Sequence, residues 1–252
     1  MKGKHIIKSK DNFVIFLLIL IIIVFATILY IKITHKTNYE KILDDIKIDE
    51  TQITSKTTER MLKVKNLKEY VNNDIVGWLE IENTKINYPV LQAKDNEYYI
   101  RHTYNKKYSI DGSIFLDKDY NWSIPSSNLL IYGHNNKNGN MFQDLLNYKE
   151  ETYYLEHPLI RFTTVDEDSN YEIISVFLSR VYYKNEKNVF RYYYFINANN
   201  EEEYNNYVEE SKKVSLYDTG KTAEYGDQLL TLSTCEYSQE DGRFVILARK
   251  RD

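Results

Sequence analysis

Cysteine occurs once in the 252 residues, at Cys235. An intramolecular disulfide, a cysteine-built zinc site and a CxxC redox pair are therefore excluded. Proline (3) and glycine (8) are scarce, which excludes collagen-like, linker-like and low-complexity classes. Neither charge sign dominates: 33 Lys+Arg face 37 Asp+Glu for a net charge of -4, with a pI near 5.8. No nucleic-acid partner is expected, because a groove that binds by counterion release needs a basic surplus. What remains is 42% hydrophobic and 28% charged, enough apolar side chain to bury a core in one large or two modest domains.

The longest apolar run is Phe13 to Tyr30, FVIFLLILIIIVFATILY, broken only by Thr27. Its eighteen residues extend about 27 Å as a helix, close to the roughly 30 Å hydrocarbon core of a bilayer. A secretory signal peptide would have a shorter run and a small-residue cleavage site; here Tyr30, Ile31 and Lys32 follow the run. A buried core helix would carry a polar stripe. The expectation is an uncleaved transmembrane signal anchor over 13–31. Lys2, Lys4, Lys8 and Lys10 precede it and Lys32 and Lys36 follow, which favours a cytoplasmic N-terminus over 1–12. Everything after the anchor then lies outside the cytoplasm, a single-pass arrangement at the cell membrane. The whole-chain mean hydropathy of -0.55 includes this run, so the remainder is strongly polar and fits one soluble domain on one anchor.

Residues 32–74 read as a helical spacer. From Thr37 to about Asn73 apolar residues recur at spacings of three and four, among them Ile42, Leu43, Met61, Leu62, Val64, Leu67, Tyr70 and Val71, as an amphipathic helix requires. TQITSKTTER (51–60) interrupts that stripe and predicts a hinge between two helices. From 75 onward come short β-rich runs at 76–81, 85–91, 112–117, 128–134, 159–164, 170–181, 228–235 and 243–250, several bounded by turn residues. Eight short strands suggest a closed barrel or a sandwich. Helical insertions are expected at 141–149 and 201–214; in the second, Tyr204, Tyr207 and Val208 form a narrow apolar stripe beside a solvated acidic face.

The last two strands define a candidate site. If 228–235 and 243–250 are antiparallel neighbours, the simplest register sets Cys235 opposite Arg243, with Cβ atoms about 5 Å apart. Alternation then sends Leu230, Leu232, Thr234, Phe244, Ile246 and Ala248 to the interior and Thr231, Ser233, Cys235, Arg243 and Val245 to the other face, as a cleft floor. A lone cysteine is often a small buried hydrophobe. Two features favour chemistry instead: a free thiol outside the cytoplasm is exposed to oxidation, and a permanent cation opposite it favours thiolate and can hold an oxyanion. A proton carrier is still needed. Of the five histidines, His134 alone closes an apolar strand, NLLIY, directly after Gly133; an ordinary strand-end histidine is the bland alternative.

These residues resemble a known family. TLSTC (231–235) is similar to the TLxTC signature of sortases, the cysteine transpeptidases of Gram-positive cell surfaces. YGHNN (132–136) resembles their histidine segment and GRFVILARK (242–250) their arginine strand, in the same chain order. Residues 76–105 and 111–121, with the preceding helices and the helical insertion, are similar to class B members in particular.

The resemblance implies a closed eight-stranded sortase-type β-barrel over 75–252 and a two-step acyl transfer. Cys235 would attack a threonine carbonyl in a C-terminal NPxTx-like sorting signal of secreted surface proteins. His134 would protonate the leaving amine, and a peptidoglycan precursor amine would resolve the thioester. Arg243 would hold the carbonyl oxygen, and Ser233 and Glu236 would contact substrate. No metal or other cofactor is expected, and no calcium-loop pattern is present.

Three alternatives stay open on the residues alone. A pilin lysine could replace the cell-wall acceptor. A hydrolytic Cys/His peptidase would more commonly place its cysteine before its histidine, the reverse of the order here. A membrane-tethered binding barrel could use the 24 tyrosines as contact surface.

Overall fold

The computed structural model describes residues 14–16, 18–27, 30, 56–136 and 138–251. Its contacts divide the chain into two units, 1–51 and 52–252. In the first unit the described residues are helical and exposed. Among the described residues no helix is long and apolar enough to cross a membrane. Parts of the expected anchor, the N-terminal segment 1–12 and the first expected spacer helix lie outside the described residues.

The second unit carries all eight expected strands: β1 (Ile75–Glu80), β2 (Asn87–Leu91), β3 (Ile114–Leu116), β4 (Asn128–Tyr132), β5 (Leu159–Thr163), β6 (Asp168–Arg180), β7 (Leu229–Cys235) and β8 (Gly242–Lys250). They close in the order β1-β2-β3-β4-β7-β8-β6-β5, which selects the barrel over the sandwich. Most ladders are antiparallel, but β2–β3 and β4–β7 are parallel. Pro89 sits inside β2 just before its pairing with β3 begins at Val90, so its missing N–H costs that ladder nothing.

Alternation fills the barrel. Leu230, Leu232, Phe244, Ile246 and Ala248 are fully buried there with Leu79, Val90, Ile131, Phe162 and Val176, each large side chain worth about 1.5–3 kcal/mol of transfer free energy. A second cluster lies on the outer face, where Leu130, Val245 and Leu247 are covered by Tyr192, Tyr204, Tyr207 and Val208. The cover is the insertion between β6 and β7.

Among the described residues three α-helices decorate the barrel: α1 (Lys56–Tyr70), α2 (Glu151–Glu156) and α3 (Glu201–Lys213). In α3 the expected stripe of Tyr204, Tyr207 and Val208 is buried, Glu201 to Glu203 are exposed, and Asn200 caps the first turn through Glu203 N. The expected helix at 141–149 is instead a 3₁₀ segment over Gln143–Lys149. Of the expected hinge over 51–60, residues 51–55 lie outside the described residues, while Lys56 to Arg60 form the first turn of α1, where backbone N–H groups have no helical partner and threonine is tolerated. Of the α1 stripe only Val64 and Leu67 are buried. Arg60 adds a two-nitrogen bond to Asp168 at 2.9 and 2.6 Å, and Lys63 lies over the Trp78 ring at 3.4 Å.

Candidate active site

The parallel β4–β7 ladder brings two distant segments to one barrel rim. Its register ends with Tyr132 opposite Ser233, and hydrogen bonds continue beyond it. Gly133 N donates to Ser233 O at 3.2 Å, Thr234 Oγ1 to Gly133 O at 2.8 Å, and Asn135 Nδ2 to Cys235 O at 3.0 Å. His134 is therefore held between two residues bonded to the cysteine strand. Gly133 is required by space: a Cβ there would lie 2.4 Å from Ile114 Cδ1 and 2.7 Å from Phe142 Cδ2. The backbone carbonyl of His134 accepts from Phe142 N at 2.8 Å.

The imidazole has a defined orientation. Its Nε2 lies 2.9 Å from the carbonyl oxygen of Ile100. A carbonyl only accepts, so Nε2 carries the proton and Nδ1 is the nitrogen able to accept one in the neutral ring.

Cys235 and Arg243 form the terminal pair of the β7–β8 ladder, the register expected from the sequence. Cys235 is half-buried and unbridged. Nη1 of Arg243 donates to the carbonyls of Asp241 and Gly242 at 3.2 and 2.9 Å, which steadies a guanidinium carrying five N–H donors.

The rest of that face differs from the expected cleft floor. Thr231, Ser233 and Val245 are buried beneath the β6–β7 insertion, leaving only the rim half-open. Tyr192 O–H and Ser233 Oγ are 2.7 Å apart, and Tyr207 O–H meets Thr231 Oγ1 at 3.1 Å. Burial pushes the Tyr192 phenol upward; the Ser233 bond and the Arg243 charge pull it down, and Cys235 adds to the rise. Tyr192 thus stands within electrostatic reach of both residues. Glu236 is 5% exposed, its carboxylate bonded to Lys149 Nζ at 2.7 Å and to Ser238 N at 2.9 Å. Burial would raise its pKa, but Lys149 and Ser238 together hold it below the ordinary carboxylate value. Ser233 and Glu236 are both engaged in internal pairs. Among the described residues no group of three or more His, Cys, Asp and Glu is arranged to hold a metal ion.

Residues 79–251 match the model of the Sortase domain. Sortase B of Listeria monocytogenes is 33% identical over 212 residues, covering 82% of this chain and 82% of that protein. The chain belongs to the sortase family. Sortase B of Staphylococcus aureus is 30% identical over 239 residues, covering 92% of this chain and 93% of its own. The S. aureus sortase B–substrate complex superimposes with a TM-score of 0.72 at 26% identity, over 88% of this chain and 98% of that structure. As a sortase of class B character the protein is a cysteine transpeptidase.

Sequence reasoning missed four contributors to this sortase site. Ile100 acts through its backbone and so leaves no side-chain signature. Asn135 lay inside the quoted YGHNN motif without a role. Lys149 and Tyr192 sit in insertions, where spacing alone predicts no partner.

Proposed function

We propose that this sortase cleaves an NPxTx-like sorting signal after its threonine and transfers the acyl group to a peptidoglycan amine. The Cys235 thiol gives its proton to Nδ1 of His134, and the thiolate sulfur bonds to the threonine carbonyl carbon. The resulting oxyanion faces Arg243, whose N–H fork stabilises it. The C–N bond then breaks, the leaving amine takes a proton from Nδ1 of His134, and a thioester remains. The acceptor amine attacks that thioester, returns a proton to Nδ1, and thiolate departs. Ser233 and Glu236 flank the nucleophile and support the site through their pairs with Tyr192 and Lys149. The run over 13–30 anchors the enzyme in the membrane with the catalytic unit outside, where secreted surface proteins are its substrates.

What supports this reading above all is the cross-strand pairing of Cys235 with Arg243, beside residues 133–135 bonded to 233–235. The test is to incubate the protein with NPxTx peptides, with and without oligoglycine or lysine acceptors, and to identify products by mass. Cleavage after threonine and a ligated product with an oligoglycine are expected, both abolished by Cys235→Ala. Ligation to a lysine side chain alone would favour the pilin acceptor. Failure to cut any Pro-x-Thr peptide, or undiminished cutting by Cys235→Ala, overturns the assignment.

A further inference from the structure

The carbonyl that receives the His134 proton is itself held from two sides. Residues Tyr98–Ile100 form one 3₁₀ turn, and Tyr99 at its centre is buried. The Tyr99 backbone carbonyl accepts from Ser113 N at 2.9 Å. Its hydroxyl donates to Asp74 Oδ2 at 2.6 Å and accepts from Asn72 Nδ2 at 2.9 Å. Asn72 also donates to Tyr104 O at 2.7 Å, and Asp74 is paired with Lys106 Nζ at 2.9 Å. Burial and the Asp74 carboxylate both raise the Tyr99 phenol. Burial would raise Asp74 too, but Tyr99 and Lys106 outweigh it and hold that carboxyl below its ordinary value. The proton of this pair therefore stays on Tyr99, and Asp74 accepts.

Gly112 closes the other side. It has a φ of +59°, and a Cβ there would lie 2.5 Å from Ile100 O and 2.6 Å from Tyr99 O. The Ile100 carbonyl is thus confined between a polar bracket, which starts two residues beyond the end of α1, and a glycine that must stay bare.

We propose that Asp74 and Tyr99 are positioning residues for His134, holding the Ile100 carbonyl where it fixes the Nε2–H tautomer and leaves Nδ1 to carry the proton. This rests on the role given to His134 above. It gives the segment between α1 and β1 a function beyond spacing: the segment sets the tautomer of the proton carrier through one backbone oxygen. A histidine locked in the wrong tautomer presents an N–H where an acceptor is needed, and misorientation of such groups is costly to turnover.

The test uses the full chain in detergent micelles, labelled with ¹⁵N-histidine, with the His134 signals assigned by their loss in His134→Gln. At a pH where the ring is neutral, the wild type is expected to show His134 protonated at Nε2 alone. Tyr99→Phe removes only the hydroxyl; it is expected to give a mixture of tautomers and to lower transpeptidation kcat about tenfold or more, with KM changed less than about twofold. If Tyr99→Phe does not fold, Asp74→Ala is read in the same way. A folded variant with the wild-type tautomer overturns the proposal whatever its activity, and so does a neutral wild-type ring protonated at Nδ1 in place of Nε2. The tautomer readout needs no substrate: a wild type with the expected tautomer that cleaves no peptide defeats the proposed function and leaves the positioning of His134 standing.

Discussion

Replacing Lys149 by Met keeps the aliphatic stem and removes the ammonium that meets Glu236 at 2.7 Å. The Glu236 side chain is 6% exposed and that of Lys149 38%, so one charge is desolvated and the other is largely wet. Stripping a partner from a fully buried pair costs about 3–5 kcal/mol, whereas exposed pairs contribute about 0–1 kcal/mol. Glu236 also keeps the donors of Ser238, which places the expected loss at about 1–2 kcal/mol. With a urea slope of about 2 kcal/mol per molar, the unfolding midpoint of a fragment starting at Gln52 falls by about 0.5–1 M at pH 7. The pH dependence separates charge from packing. Glu236 is held below its ordinary value, so its contribution is fully present above the unfolded pKa of about 4.3 and is lost as pH falls through the lower folded value. Other carboxylates titrate alike in both proteins and cancel in the difference. The gap between wild type and Lys149→Met is therefore expected to be widest at pH 7 and to narrow toward pH 3. An equal gap at both pH values would refute the reasoning and assign the loss to the stem.

Other perturbations reach the site by different routes. Arg243→Lys keeps the charge but loses the planar fork, so initial-rate kinetics should show kcat lower by about 10²–10³-fold with KM much less affected. Gly133→Ala must push its new Cβ against Ile114 and Phe142, costing about 1–3 kcal/mol in a thermal melt. Tyr192→Phe leaves the Ser233 hydroxyl, which is 1% exposed, without its partner and should cost about 1–3 kcal/mol; adding Ser233→Ala should restore part of that, a non-additivity that a double-mutant cycle measures.

The parts of this fold that were legible in the sequence share a cause. Strands such as NLLIY and QLLTLSTC announce themselves by β-rich composition and alternation, and the short 236–242 connection fixes the register that pairs Cys235 with Arg243. The barrel interior followed from the same alternation. What escaped is set by contacts between segments far apart in the chain. Thr231 and Ser233 point away from the interior, as alternation requires, yet a covering insertion makes that face a second core, and nothing local to β7 signals it. The segment over 141–149 has helical spacing, yet Gln143–Lys149 adopts 3₁₀ geometry, a difference of one residue per hydrogen bond that composition does not resolve. The Ile100 carbonyl is a backbone atom, invisible to any search by side-chain type.

The facing of the nucleophile is decided by residues that never touch substrate. β4 and β7 run parallel, so their C-terminal ends emerge at one rim and bring His134 to Cys235. β8 is antiparallel to β7 and therefore starts at that rim with Arg243. Each of these positions is tied to the apolar alternation behind it: Leu230, Leu232, Phe244 and Ile246 must face inward, which turns Cys235 and Arg243 outward. A slip of one residue would turn the thiol into the barrel and the leucines out against the β6–β7 insertion. The interior thus specifies catalysis as firmly as it specifies stability. The β6–β7 insertion, packed over Thr231, Ser233 and Val245, leaves the rim as the open stretch of that face, so a peptide must approach where the chain ends converge. Changes on the surface of the insertion should accordingly alter which peptides enter, while changes in the Leu232–Phe244 layer should alter the chemistry itself.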